Sequence, residues 1–312
     1  MGAVFAASWL ISGGVLSESE SVEARLSSTV LVLGDRPDAS AEVLMAQRPG
    51  HASFMGGTYV FPGGAVDLED GSPQLLARCT GLTGPQAVAR LGVGHNLTPL
   101  EALSVHVAAL RETFEEVGLL LARGPRDRPL SLDQAKDAQR FDKHRADLRA
   151  GRLAFVDILE SEGLTLDLAT LIPWAHWITP LARPKRFDTY FFLARRPASQ
   201  LATDARGELE GCRWIPPHEA LHANQRGAFP LPPPTFCVLE EIALLRGVPE
   251  ILAATAGRRL RPVLPRAEKR EGVLTILLPG DRDYPAPPGM GVEGATRLRL
   301  EAGGGWHSDL RI

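Results

Sequence analysis

Lysine is scarce in this 312-residue chain, occurring only at Lys136, Lys143, Lys185 and Lys269, and the net charge is −3. A chain without a basic surplus has no field to gather phosphate backbones, so nucleic acid is not an expected partner. Arginine supplies most of the positive charge, which we read as the coding bias of a GC-rich bacterial genome. Cysteine is also rare. Cys79, Cys212 and Cys237 are odd in number and widely spaced. This excludes a disulfide framework and a Cys-x-x-Cys metal motif, and fits reduced thiols in a cytoplasmic protein. Long apolar runs are missing too. The stretch from Ala3 to Leu16 lacks a basic start and is interrupted by glycine, so it is too short and broken to span a membrane. Residues 1–24 are expected to be a flexible leader. The terminal Asp309-Leu310-Arg311-Ile312 is not a peroxisomal address of the Ser-Lys-Leu kind. A hydrophobic content of 44% gives an ordinary globular core. Oligomeric state is not legible.

Against this plain background one stretch is dense in charge. Arg111-Glu112-Thr113-Phe114-Glu115-Glu116-Val117-Gly118-Leu119 holds three carboxylates and a guanidinium within six residues. Thr98-Pro99-Leu100-Glu101 upstream is a helix start: an N-cap Thr, Pro at the first helical position and Glu three residues after the cap. Gly118 is a stop signal, with Leu119 to Leu121 open as an extension of the last turn. At about 100° per residue, Leu100, Leu103, Val107, Leu110, Phe114 and Val117 share one face, and Arg111, Glu112, Glu115 and Glu116 share the other. Glu112 and Glu116 are one turn apart and can reach one ion. Clustered carboxylates repel unless a cation lies between them, so the pattern suits a magnesium site handling phosphates. A solvated face with an ordinary Arg111–Glu115 pair is the competing reading.

Upstream, Thr58-Tyr59-Val60-Phe61 enters the turn Pro62-Gly63-Gly64 and leaves through Ala65-Val66-Asp67. Paired glycines let a backbone pass close to a ligand, and also make plain hairpins. Taken together, the two segments resemble the signature of the Nudix hydrolases: Gly, five residues, Glu, seven residues, then Arg-Glu-apolar-x-Glu-Glu-x-Gly-apolar. Arg111 to Leu119 matches the second half, except that Thr113 takes an apolar slot. Gly64 and Asp70 match the first, with Asp in place of Glu. The halves are separated by 33 extra residues, an insertion at about 71–103 with helix-like patches near 73–79 and 84–91. A box split in this way resembles the Nudix branch that contains the peroxisomal coenzyme A diphosphatase. Gln47-Arg48-Pro49-Gly50, Phe54-Met55, Trp174 to Pro180, Arg186 to Ala194 and Leu231-Pro232-Pro233-Pro234 strengthen that likeness.

The resemblance implies an α/β fold, an α/β/α sandwich around a mixed sheet, spanning 25–246 with its helical insertion. A C-terminal extension follows at 247–312, read as a small β appendage or a partly flexible wrapping. It implies hydrolysis of a diphosphate in a small nucleotide-type substrate, with Mg2+ or Mn2+ as cofactor. Coenzyme A or acyl-coenzyme A leads; ADP-ribose and reduced NAD are the alternatives, as is a non-catalytic nucleotide-binding module. Glu112, Glu115 and Glu116 are the expected metal ligands. Arg111, Glu112 and Glu115 are the expected catalytic residues, with Arg111 orienting a carboxylate. Arg48, Gly63, Gly64 and Arg186 are expected at the substrate, with Arg183 and Lys185 beside Arg186 in a basic loop. The general base stays open among Glu112, Asp204, Glu208 and Glu210. Trp174, Trp177 and Trp214 are read as core residues or as stacking platforms, and Leu231 to Pro234 as a stiff linker or a substrate wall.

Overall fold

A computed structural model describes residues 22–52, 55–92, 97–181, 183–203, 210–285 and 296–309. The expected leader therefore lies almost wholly outside the described residues, as do Phe54, Asp204 and Glu208.

The chain opens with β1 (Arg25–Asp35) and β2 (Ala41–Gln47), an antiparallel pair. Two short strands, β3 (Tyr59–Val60) and β4 (Gly63–Ala65), pair with β2 and β1 respectively. A 3-10 turn at Leu68–Gly71 leads into the insertion, which holds α1 (Pro73–Leu76), β5 (Cys79–Thr80) and α2 (Gly84–Leu91). The long helix α3 (Pro99–Val117) follows, so the last positions assigned to the insertion are its first turn. Then come β6 (Ala122–Gly124), β7 (Arg128–Pro129), α4 (Ala135–Arg149), α5 (Phe155–Ser161) and β8 (Thr165–Asp167). β5, β6, β7 and β8 form a small sheet of their own. β9 (Ile172–Ile178), β10 (Phe187–Arg195) and β11 (Glu210–Ile215) return to the main sheet, followed by α6 (Pro217–Gln225), α7 (Pro233–Ala243) and α8 (Val248–Ala253). The chain ends in β12 (Pro262–Val263), β13 (Arg266–Arg270), β14 (Val273–Leu277), β15 (Arg297–Leu300) and β16 (Trp306–Ser308).

The main sheet runs β11-β2-β1-β10-β9-β12 and is mixed, with β1/β10 and β9/β12 parallel. β1 is buried almost throughout because both its faces are covered, as expected of a central strand. Its side chains alternate between two cores. Leu31 and Leu33 join Trp177, Phe191, Phe236, Ile276 and Trp306 on one face. Val30 and Val32 join Leu110, Phe114, Phe141, Phe155 and Phe192 on the other. The sheet thus lies between α3, α4 and α5 on one side and α7, α8 and the β13–β16 sheet on the other.

Two expectations are refined. The described residues of the C-terminal segment pack into the body of the protein: β12 extends the main sheet beside β9, and Leu274, Ile276, Leu298 and Trp306 share one core with Leu31 and Trp177. Nor is α3 a helix with one core face. Ser104, Arg111, Thr113 and Glu116 are buried as well, because α2 and the 3-10 turn pack against its other side. The Thr113 hydroxyl is satisfied in that setting by the Ala109 carbonyl at 2.7 Å. No helix among the described residues is long and apolar enough to cross a membrane, and none of the three cysteines forms a disulfide.

Candidate active site

α3 is fixed at both ends by the signals in its sequence. The Thr98 hydroxyl accepts from Glu101 N at 3.2 Å, and the Glu101 carboxylate accepts from Thr98 N at 2.8 Å, a reciprocal cap. The helix stops at Gly118, whose φ of 74° is left-handed and whose N–H donates to the Phe114 carbonyl, so Leu119 to Leu121 do not extend it. The last carbonyls are held from outside. Arg145, buried on α4, donates to the Glu115 carbonyl at 2.9 Å and the Glu116 carbonyl at 2.5 Å. A cation at a helix C-terminus opposes the negative end of its dipole, and here it also fixes the turn that carries both glutamates.

Arg111 joins the two halves of the split box. Its Nε and Nη2 donate to Asp70 at 2.8 and 2.9 Å, a two-pronged contact across 41 residues of sequence. Asp70 is completely buried. Its second role is to accept from Asp67 N at 2.9 Å, which shapes the 3-10 turn. Arg111 Nη1 donates to Glu112 at 2.9 Å and Glu115 at 3.0 Å, and Nη2 also reaches the Ala65 carbonyl at 3.0 Å. Asp67 stands 3.5 Å away. A single guanidinium thus faces four carboxylates.

The imbalance shows in the acidities. Burial, reinforced by Glu115 and Asp70 and opposed by Arg111, pushes the Glu112 carboxyl up to about 7. Burial works against the charge on Arg111, but the Asp70 hydrogen bonds and the charges of Glu112, Asp70 and Glu115 hold its guanidinium above its ordinary value.

Glu116 points the other way, accepting from Gly63 N at 2.8 Å. A Cβ on Gly64 would lie 2.4 Å from the Glu112 carboxyl carbon, and one on Gly63 would lie 2.2 Å from the Ser28 carbonyl oxygen. Only glycine lets β4 run this close to both β1 and the carboxylates.

These groups open onto a cavity of about 450 Å³ lined by Glu112, Glu116, Gly63, Gly64, Ser28 and Arg48. Arg25 and Lys185 also line it. Ser28 Oγ and Arg48 Nε are buried without a hydrogen-bond partner in the structure. Donors left unsatisfied beside a cavity carry a desolvation cost that a ligand's oxygens would relieve.

Of the expected residues, Arg48, Gly63, Gly64, Glu112 and Glu116 meet at one cavity. Glu115 does not line it, and its carboxylate rests on Arg111. Arg186 is not there either. It is buried and donates to the Thr179 and Val22 carbonyls at 3.1 and 2.6 Å, so it ties the start of β10 to neighbouring chain instead of facing the cavity. Burial holds its guanidinium below its ordinary value, as it does for Arg183. Trp177 and Pro232 to Pro234 line the cavity, whereas Trp174 and Trp214 sit beneath Arg258 and Arg196 at 4.1 and 4.5 Å. Asp204, Glu208 and the side chain of Glu210 lie outside the described residues.

Arg25, Ser28 and Arg145 were not singled out by sequence. The first had a signal: Arg25, Ser27 and Thr29 continue the face of β1 that carries Leu31 and Leu33, which marks where that face leaves the core.

Does this donor set suit a divalent cation? Among the described residues, no three His, Cys, Asp or Glu side chains are gathered tightly enough to hold one. Arg111 and Gly63 N–H hold the carboxylates instead. The chemistry nonetheless fits. Glu112 and Glu116 offer hard oxygen donors one turn apart at the cavity, in a cluster with excess negative charge.

Comparison with known proteins gives concordant results. The NUDT19 Nudix domain family matches residues 25–242. The acyl-coenzyme A diphosphatase NUDT19 of Homo sapiens is 29% identical over 282 residues, covering 80% of this chain and 73% of that protein. That of Xenopus laevis is 26% identical over 286 residues, covering 82% and 74%. Among solved structures, a NUDIX hydrolase from Alicyclobacillus acidocaldarius is similar with a TM-score of 0.61 and 29% identity, covering 75% of this chain and 96% of its own.

Proposed function

The chain belongs to the NUDT19 Nudix domain family, and from that premise we propose that this Nudix hydrolase cleaves the diphosphate of coenzyme A or an acyl-coenzyme A, with Mg2+ or Mn2+ held by Glu112 and Glu116. The observation that carries this reading is one cavity. It brings the carboxylates of Glu112 and Glu116 together with the Gly63-Gly64 backbone and the cations Arg25, Arg48 and Lys185.

The reaction adds water across a P–O–P bridge. The water oxygen bonds to one phosphorus, the bridging bond breaks, and its electron pair leaves on the second phosphate. The water gives up a proton, and two phosphomonoesters result. A bound divalent cation offsets the charge that shields phosphorus from a nucleophile and lowers the pKa of water.

The chain's own residues do the rest. Arg111, locked by Asp70, holds Glu112 and Glu115 at fixed positions, as its rigid fork suits. Arg145 fixes the turn beneath Glu115 and Glu116. Glu115 then acts through Arg111, or as a ligand by way of water. Arg48, Arg25 and Lys185 meet the phosphates, and the Ser28 hydroxyl offers a hydrogen bond to a substrate oxygen. Glu112 lines the cavity beside the position a cation would take, where its carboxylate can accept the proton that the water gives up.

A substrate panel tests the proposal. The purified protein is incubated with coenzyme A, octanoyl-coenzyme A, ADP-ribose and NADH, each with Mg2+, Mn2+ or EDTA, and products are identified by mass. The coenzyme A compounds should be cleaved fastest, and EDTA should stop all turnover. Preference for ADP-ribose or NADH would overturn the substrate, and no cleavage of any diphosphate at high enzyme would overturn the activity.

A further inference from the structure

The far end of the cavity is built by residues that the 25–242 family match does not include. Pro265 and Ile276 line the same cavity as Glu112 and Glu116. Pro265 lies between β12 and β13, and Ile276 is on β14.

Strand register shows how the cavity floor changes character. Gly63 on β4 pairs with Thr29 on β1, which pairs with Phe191 on β10. Ser27 pairs with Thr189, which pairs with Trp177 on β9. From β4 to β9 is three strand spacings, about 14 Å. At the β4 end the lining is Gly63, Gly64 and the carboxylates. Towards β10 and β9 it is mostly apolar, with Trp177, Ile178, Phe187, Phe191 and Pro232 to Pro234 interrupted by Thr179, Thr189, Thr235 and Lys185.

The C-terminal sheet closes this apolar end and is anchored for the task. Val263 pairs with Trp177, and the Tyr284 hydroxyl donates to the Leu264 carbonyl at 2.6 Å. Trp306 Nε1 donates to the Leu231 carbonyl at 2.8 Å, and Trp306 N to Asn224 Oδ1 at 2.9 Å. The sheet is thereby tied to the segment leading into Pro232 to Pro234. Such a wall excludes water and presents only apolar surface, so it favours an apolar group and limits its bulk.

We propose that the C-terminal sheet is the specificity wall of the site, with Pro265 and Ile276 setting which apolar group is accepted beyond the diphosphate. On the diphosphatase reading, which this deepens, that group is the acyl chain of an acyl-coenzyme A.

The test reads binding and turnover separately. Dissociation constants for coenzyme A and for acetyl-, octanoyl- and palmitoyl-coenzyme A are measured by calorimetry with EDTA present, and KM and kcat with Mn2+. The proteins are wild type, Pro265→Trp, which narrows the far end, and Ile276→Ala, which widens it. Pro265 donates no backbone hydrogen bond, so its replacement breaks none, and thermal melts confirm that each variant is folded. A methylene in an apolar pocket changes discrimination by roughly tenfold or more. Pro265→Trp should therefore weaken octanoyl-coenzyme A relative to coenzyme A by about tenfold, in Kd and KM more than in kcat. Ile276→Ala should shift the preferred chain towards greater length. A change of less than twofold in the acyl to free coenzyme A ratio in both variants would overturn the wall. A shifted binding ratio without turnover would support the wall and overturn the diphosphatase reading.

Discussion

Arg111 faces Asp67, Asp70, Glu112 and Glu115, with Arg25 touching only the exposed Asp67, whereas Arg270, Arg282 and Arg297 at the C-terminal sheet share Glu268, Asp281 and Asp283. The contacts are alike in kind. Arg297 reaches Asp281 and Asp283 at 2.7 Å, much as Arg111 reaches Asp70 at 2.8 Å. The electrostatic outcomes are opposite. A hydrogen bond from Arg297 holds Asp281 below the usual carboxylate range, and bonds from Arg270 and Arg297 do the same for Asp283. Burial pushes Glu112 up instead: its carboxyl is largely out of water, and Arg111, which it shares with Asp70 and Glu115, opposes that only in part. A cluster that serves the fold pairs its charges and relaxes. A cluster left with excess charge stores a cost that a cation or a substrate can relieve, which is a physical mark of a functional site.

The contrast can be broken at its most buried point. Asp70→Ala removes the partner that locks Arg111 and leaves a void in a dry site, and should cost about 3 kcal/mol of unfolding free energy in urea titrations. A loss near zero would mean that Glu112 and Glu115 already hold Arg111 unaided.

A smaller effect of opposite sign is expected at Glu112. A carboxyl whose pKa is raised from 4.5 to about 7 on folding costs nothing below the lower value and its full amount above the higher one. Glu112→Gln should therefore stabilise the metal-free protein by on the order of 2 kcal/mol at pH 8, and the gain should shrink to nothing near pH 4.5. Equal gains at both pH values would remove charge as the cause.

The smallest effect belongs to the balanced cluster. Arg297→Ala should cost about 1 kcal/mol, since the partly solvated Asp283 keeps Arg270 and the buried Asp281 keeps the Asp283 N–H, and should leave kcat for coenzyme A within twofold of wild type. A larger loss of turnover than of stability would contradict the division between the two clusters.

Much of this was legible in the sequence where the determinant is local. The Thr98–Glu101 cap and Gly118 bound α3 because caps act within a turn. The Arg111–Asp70 contact was not legible as a contact, because it spans the insertion and depends on how the 3-10 turn at Leu68–Gly71 sits on α3. Arg186 illustrates the opposite case: a basic residue in a loop reads as available to a phosphate, yet here its long side chain turns inward onto carbonyls. Arg145 was hidden in a helix of mostly polar residues. Only its spacing from Phe141, four positions earlier on the same face, hints that it points inward. The C-terminal wall was least visible, because strands as short as β12 are placed by their partners and not by their own pattern.

The most direct test of the carboxylate cluster is Glu116→Gln. Gln keeps an oxygen to accept from Gly63 N–H, so the fold should be retained while the anionic donor at the cavity is lost. Turnover of acyl-coenzyme A is measured across a Mn2+ titration alongside the melting temperature. The expected result is a fall in kcat/KM of about a thousandfold or more with an unchanged melt, since removing one charged group of a catalytic set costs several kcal/mol of barrier. A Glu116→Gln protein that turns over like wild type at every Mn2+ concentration would contradict the account.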